Sequence, residues 1–187
     1  MNKRLLLASG SPRRRELLSQ LGYQFDVVVP NVPEERQPQE SPADYVTRLS
    51  VDKAQAGLAM AEQGAIVLGS DTIVVMDKNV LEKPQDFQDA QRMLEQLSNR
   101  SHHVMTAVTV ASQHHSRTTL VNTEVWFKVL SSQEIADYWQ TGEPCDKAGS
   151  YAIQGLGGRF VTRIEGSYYA VVGLPLYETD QLLHEFL

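Results

Sequence analysis

The segment Leu5-Leu6-Leu7-Ala8-Ser9-Gly10-Ser11-Pro12-Arg13-Arg14-Arg15-Glu16-Leu17-Leu18 decides how the rest of the chain is read. Its apolar opening predicts a buried strand, and Gly10-Ser11-Pro12 turns that strand into a helix. Ser11 suits the N-cap, where its hydroxyl can accept from a backbone N–H. Pro12 suits the first helical position, where its missing N–H costs nothing. Leu17, Leu18 and Leu21 then supply a core-facing stripe, and Gly22 ends the helix. The three arginines in the first helical turn oppose the helix dipole, whose N-terminal end favours negative charge. A bound anion would reverse that penalty, because N–H groups, the Ser9 and Ser11 hydroxyls and guanidinium forks all suit phosphate. The other reading is three solvated arginines on a surface turn. A strand-to-helix loop is where α/β proteins present their ligands, which favours phosphate.

The second anchor is Ala65-Ile66-Val67-Leu68-Gly69-Ser70-Asp71-Thr72-Ile73-Val74-Val75-Met76, whose near-continuous apolar character predicts a strand covered on both faces. Asp71 sits in its middle, and an unpaired carboxylate there would be expensive. It needs a cation, a metal or several donors, either as a structural partner such as a buried arginine or as a site carboxylate. Gly69-Ser70 beside it offers backbone access and Thr72 adds a hydroxyl.

Between these anchors, Phe25–Val29 reads as a short strand, and the proline-rich segment 30–42 carries Glu34-Glu35-Arg36. That segment is either disordered or a loop covering a ligand. Ser41-Pro42-Ala43-Asp44 starts a helix on which Val46, Leu49, Ser50, Lys53, Ala54 and Gly57 share one face. Lys53 on that face either snorkels to solvent or delivers a cation to the pocket of Arg13. Further along, Asp77-Lys78-Asn79 reads as a hairpin turn. Asp86 caps a helix with Ala90, Met93, Leu94 and Leu97 inward. Segments 102–111 and 118–129 read as antiparallel strands joined near His114-His115, where a solvated turn is the better reading than a metal site. Ser131-Ser132-Gln133-Glu134 is a capping box. The glycines of 144–158 mark a tight turn or close backbone approach. Phe160–Ile164 is a strand, and Pro175 opens a terminal helix.

At 187 residues and 42% hydrophobic content, one domain spanning residues 1–187 is expected, or at most two tightly joined lobes. The mixture of crossovers and hairpins predicts an α/β fold with a mixed central β-sheet flanked by helices. A net charge of −6 argues against broad nucleic-acid or anionic-membrane binding. The lone Cys145 excludes an intramolecular disulfide or a Cys-rich zinc site. The apolar run after Met1-Asn2-Lys3-Arg4 is too short for a secretory h-region, so a cytoplasmic location is expected. No Gly-x-x-x-x-Gly-Lys-Ser/Thr string is present, which argues against a P-loop enzyme. From the residues alone, the basic cradle (Ser9, Arg13, Arg14, Lys53, Lys83) and the acids Glu34 and Asp71 predict an enzyme acting on a phosphorylated ligand.

The opening string resembles the signature of the Maf family of nucleoside triphosphate pyrophosphatases. Gly69-Ser70-Asp71-Thr72-Ile73-Val74, Leu81-Glu82-Lys83-Pro84, Asp146-Lys147-Ala148-Gly149-Ser150-Tyr151, Ile153-Gln154-Gly155, Gly166-Ser167-Tyr168 and Val172-Gly173-Leu174-Pro175 resemble further Maf motifs in the family's order. The resemblance implies a Maf/inosine-triphosphatase-like architecture, a homodimer, and hydrolysis of a nucleoside triphosphate to the monophosphate and pyrophosphate. It makes Asp71 the general base, Glu34 and Asp71 the ligands of Mg²⁺ or Mn²⁺, and Ser9, Arg13, Arg14, Lys53 and Lys83 the phosphate contacts. Arg13, Thr72 and Gln154 match the subfamily acting on dTTP and UTP, with modified uridine triphosphates as further candidates. The guanine-type subfamily carries Gln after the catalytic Asp and Ala-Glu-Gly in place of Ile-Gln-Gly. Ser70 departs from the Ala expected in the pyrimidine group and adjoins the base. The alternative is a non-catalytic nucleotide-binding regulator of septum formation, and the family's association with cell division permits both roles together.

Overall fold

The computed structural model describes residues 4–187, and Met1–Lys3, the front of the segment weighed above as a leader, lie outside the described residues. The chain runs β1 (Leu5–Ala8), α1 (Pro12–Gln20), β2 (Phe25–Val28), α2 (Pro42–Ala59), β3 (Ile66–Met76) and β4 (Asn79–Leu81). It continues through α3 (Phe87–Leu97), β5 (Ser101–Ala111), β6 (Ser116–Phe127) and α4 (Ser132–Gln140). It closes with β7 (Val161–Glu165), α5 (Tyr168–Val172) and α6 (Leu176–Phe186). The strands form a seven-stranded mixed sheet in the order β2-β1-β3-β5-β6-β7, with β4 paired to β3. The expected α/β class is therefore found. β1 is parallel to both neighbours, with Ala8 opposite Val28 on one side and Gly69 on the other.

Short-range chemistry sets the element ends. Ser11, Ser41, Asp86 and Ser131 each accept a backbone N–H from three residues on, the last within a complete capping box. The limits of β2, β3, β5 and β7 lie within one residue of the sequence reading, and β6 differs by two at each end. β6 starts at Ser116 because Ser112 N donates to His115 O across the turn, and the His115 ring stacks on Phe186. It stops at Phe127, where a register shift interrupts its ladder with β7 and Leu130 N turns to Ser98 Oγ.

The chain divides into two compact units. The first comprises the residues up to Asp71, with Thr106–Val121 and Gly173–Leu187; the second comprises Thr72–Met105 and Asn122–Val172. In the first, Leu6, Ala8, Ala65 and Val67 form a core joined by Val28, Leu58 and Ala61. Two glycines bring α2 onto the sheet there. A Cβ on Gly57 would lie 2.8 Å from Val67 Cγ1, and one on Gly69 would lie 2.5 Å from Ser50 O and 2.6 Å from Ala54 N. No side chain fits between the α2 backbone and β3 at Gly69, so the helix lies unusually close to the strand that carries Asp71. In the second unit, Met93, Leu94, Leu97, Val104 and Val125 pack with the rings of Phe127, Tyr138, Tyr151 and Phe160. The Tyr138 and Phe160 rings meet edge-on at 5.0 Å, a geometry favourable beyond the area it buries.

Candidate active site

The first unit gathers six of the residues singled out above. Ser9, almost fully buried at the end of β1, accepts Ser11 N at 3.2 Å through Oγ, while Ser11 Oγ accepts Arg14 N at 3.5 Å. The two serines thus organise the start of α1, and Ser9 retains a hydroxyl hydrogen to donate. Arg13 and Arg14 are half-buried in the same turn. Arg14 Nε donates to Gly173 O at 2.8 Å, which fixes the direction of its guanidinium. Burial lowers the basicity of Arg14; Asp71 opposes that shift, Arg13 adds to it, and Glu34 opposes it again. One electrostatic neighbourhood therefore holds all four charges.

Lys53 links the two acids. From α2 its Nζ lies 2.6 Å from Asp71 Oδ1 and 2.7 Å from Glu34 Oε1. The Asp71 and Lys53 side chains are 10% and 13% exposed and that of Glu34 is 48%, so the chain of charges runs from the interior to solvent. Asp71 thus has its cation, a lysine rather than the arginine considered as a structural partner. The reach is short because Gly69 lets α2 lie against β3.

Glu34 sits on a loop that the sequence left open to disorder, and α2 pins that loop. Tyr45, fully buried, donates from its hydroxyl to Glu34 O at 3.0 Å. One turn on, Arg48 donates to Glu35 O at 3.0 Å and grips the Glu40 carboxylate at 2.6 and 3.0 Å. That bidentate grip holds Glu40 well below the usual carboxylate range, at about 2. Ser70, buried beside Asp71, donates to Gly173 O at 3.2 Å, the carbonyl that also receives Arg14. Strand alternation places Ser70 and Asp71 on opposite faces, so the serine fixes backbone rather than solvating the acid.

The second unit holds the other three. Thr72 follows Asp71 in β3 and is half-buried, Lys83 is exposed just beyond β4, and Gln154 is exposed in a turn between two short 3₁₀ segments. Gly149 N donates to Glu82 O at 3.2 Å, tying the Lys83 segment to the segment around Lys147.

The arrangement supplies cations and N–H groups for phosphate, together with a buried carboxylate able to accept a proton. For a hard divalent ion, Glu34 and Asp71 fit, since their oxygens already converge on one cationic nitrogen. Among the described residues no group of three or more His, Cys, Asp or Glu could hold a metal. An ion on this pair would complete its shell with water and phosphate oxygens, as Mg²⁺ commonly does.

A family model described as Maf-like protein matches residues 4–186. The chain belongs to the Maf-like family. A Vibrio cholerae protein named dTTP/UTP pyrophosphatase is 70% identical over 183 residues, covering 98% of each chain. A Vibrio vulnificus protein of the same name is 69% identical over 98% of this chain and 99% of its own. One from Shigella dysenteriae is 56% identical over 97% and 92%. Among solved structures, the Staphylococcus aureus Ham1 protein matches at 10% identity with a TM-score of 0.48, over 67% of this chain and 72% of its own. The α/β class of the Maf-like chain rests on its strand order.

Several residues that shape these loops escaped the sequence reading. Tyr45 and Arg48 looked like ordinary helix positions, and Gly173 contributes only a backbone carbonyl. Glu143 stands immediately before the glycine-rich stretch, but the backbone N–H groups it accepts from lie 13 and 14 residues further on.

Proposed function

We propose that this Maf-like chain is a nucleoside triphosphate pyrophosphatase acting on dTTP and UTP, with residues 1–187 as one catalytic domain. The observation that carries the reading is 56–70% identity, over nearly the full chain, to proteins named for that activity. Water adds to phosphorus at the α–β anhydride, the bridging P–O bond breaks, and the monophosphate and pyrophosphate leave. Asp71 receives the proton of the attacking water. Lys53 on Oδ1 orients that carboxylate. Ser9, Arg13, Arg14, Lys53 and Lys83 neutralise and position the phosphates, in keeping with guanidinium–phosphate pairing. Thr72, Gln154 and Arg13 set the preference for a pyrimidine, and the Gln154 amide offers both a donor and an acceptor to the base edge.

Glu34 and Asp71 are the residues that would hold Mg²⁺ or Mn²⁺, which when bound supplies charge neutralisation at the phosphate oxygens. No helix among the described residues is long and apolar enough to cross a membrane. In this reading the enzyme acts as a cytoplasmic homodimer without nucleic-acid partners.

The test is pyrophosphate release from a nucleotide panel with Mg²⁺ and Mn²⁺, for the wild type and Asp71→Ala. Selective release from dTTP and UTP is expected, with a loss of about 10²–10⁴-fold in the variant, the usual worth of a general base. Selective release from methylated GTP would keep the chemistry and overturn the base preference. Nucleotide binding without turnover would favour the regulator, and a folded Asp71→Ala protein with most of its activity would remove Asp71 as base.

A further inference from the structure

Within the second unit, one carboxylate organises the loop that carries Gln154. Glu143 Oε1 accepts from the Tyr138 hydroxyl at 2.6 Å and from Gly157 N at 3.0 Å, and its Oε2 accepts from Leu156 N at 2.9 Å. The Tyr138 hydroxyl in turn accepts Ala152 N at 3.1 Å. Residues 152, 156 and 157 are thereby fixed on both sides of Gln154, whose position is exposed. The Tyr138 ring is itself fully buried and packs edge-on against Phe160.

The glycines of this stretch now have a physical cause. A Cβ on Gly155 would lie 2.3 Å from Glu143 Oε2, and one on Gly157 would lie 2.6 Å from the Tyr138 hydroxyl. Successive N–H groups of such a loop make a concavity suited to an anion, and here the chain's own Glu143 fills it. A carboxylate is the side chain that accepts from all three donors without presenting a donor of its own. Burial pushes the Glu143 pKa up, but the bonds from Tyr138, Gly157 and Leu156 outweigh it and leave the group below its ordinary value. The anchor stays charged across the neutral range.

We propose that Glu143, acting with Tyr138, is a positioning residue for base discrimination: it fixes the loop 152–157 so that the Gln154 amide meets the nucleotide base in one orientation. The proposal rests on reading Gln154 as the base-recognising residue. The oxygen and nitrogen ends of an amide have nearly the same shape, so an amide selects a base only when its direction is held. Gln154 is a long side chain, and a backbone free to shift would let either end face the base.

The experiment measures kcat and KM of the full chain on dTTP, UTP, CTP and GTP for Glu143→Gln, Tyr138→Phe, Gln154→Ala and the Glu143→Gln/Gln154→Ala double variant. Thermal melting of each variant is recorded alongside. Glu143→Gln places an NH₂ group against backbone N–H donors. It is expected to raise KM for dTTP and UTP about tenfold, the scale of one charge-assisted hydrogen bond, with kcat within about twofold. Activity on CTP and GTP stays within about twofold, so discrimination falls about tenfold. Tyr138→Phe keeps both carboxylate-to-backbone bonds and the ring packing, so it should fold even where Glu143→Gln does not. It is expected to shift discrimination the same way, by about threefold. The double variant should discriminate no worse than Gln154→Ala alone, because the two residues act as a unit. An equal loss on all four nucleotides, unchanged discrimination in both Glu143→Gln and Tyr138→Phe, or full additivity with Gln154→Ala would overturn the proposal. A Gln154→Ala variant that keeps wild-type discrimination would instead overturn the reading of Gln154 and remove the route on which the proposal depends.

Discussion

The Glu34 loop and the Gln154 loop are both held by the hydroxyl of a fully buried tyrosine, but the tyrosines grip different parts. Tyr45 takes the backbone carbonyl of Glu34 and leaves the carboxylate to Lys53. Tyr138 donates to the carboxylate of Glu143, and the two together hold the backbone N–H groups of the loop while the Gln154 side chain stands exposed. Which group is spent on anchoring decides which group faces a ligand. In the first loop an acid remains for charge chemistry; in the second the acid is consumed, and a neutral amide stands exposed. The contrast matches the roles proposed for the two loops, charge chemistry at Glu34 and base choice at Gln154.

The contrast breaks most completely at Lys53. Lys53→Met leaves Asp71 buried without its cation, and removing one partner of a buried pair costs about 3–5 kcal/mol, here toward the lower end because Glu34 is half-exposed. Turnover should fall about 100-fold on every nucleotide, within the range for a displaced catalytic group. Thermal melting and steady-state kinetics check both statements, and a loss confined to one nucleotide would contradict them.

A sharper comparison sets Tyr45→Phe beside Tyr138→Phe. Each removes one hydroxyl and keeps the ring, at a stability cost of about 1 kcal/mol. Tyr45→Phe should lower kcat/KM about fivefold on all nucleotides alike, since it loosens the acid that meets Lys53. The Tyr138 variant should change the ratio between nucleotides instead. Identical profiles for the two would mean that the loops do not divide the work.

The last contrast is a pH response. The buried charges of the first unit form an ion pair, whereas the second buries a neutral imidazole. His102 is 1% exposed, its Nε2 lies 2.7 Å from the Tyr151 hydroxyl, and burial, helped by His103, lowers its pKa from 6.5 to about 3. Above pH 6.5 both folded and unfolded chains carry a neutral His102. Below it the unfolded chain takes up a proton that the native chain refuses down to about pH 3, so stability is lost as pH falls, by about 1.4 kcal/mol per unit. Melting temperatures between pH 7 and 5 should show this slope, and His102→Gln should flatten it.

Much of the fold was legible because its signals are local. The apolar run of β1, the Ser-Pro starts of α1 and α2 and the caps at Asp86 and Ser131 depend on side chains meeting backbone three residues away. The inward face of α2 placed Lys53 correctly toward the sheet, but its partners lie 18 and 19 residues off in sequence, and periodicity carries no information about them. The metal role of Glu34 came from the family resemblance, because the path of its loop depends on Tyr45 and Arg48, whose bonds go mainly to backbone and to Glu40. Glu143 was missed for the same reason, and Gly173 was legible only as part of a family motif. Their partners are main-chain atoms or distant side chains, and such pairings leave no spacing in the sequence.

Gly69 has no functional group, yet it sets how far Lys53 must reach. Any added carbon there would meet the α2 backbone at Ser50 and Ala54, neither of which can move aside as a flexible side-chain tip could. The separation of the lysine from the acid is therefore encoded by an atom that is missing. A survey that replaced only polar and charged residues would pass over this position, although changing it would detune the enzyme as surely as changing a charged group.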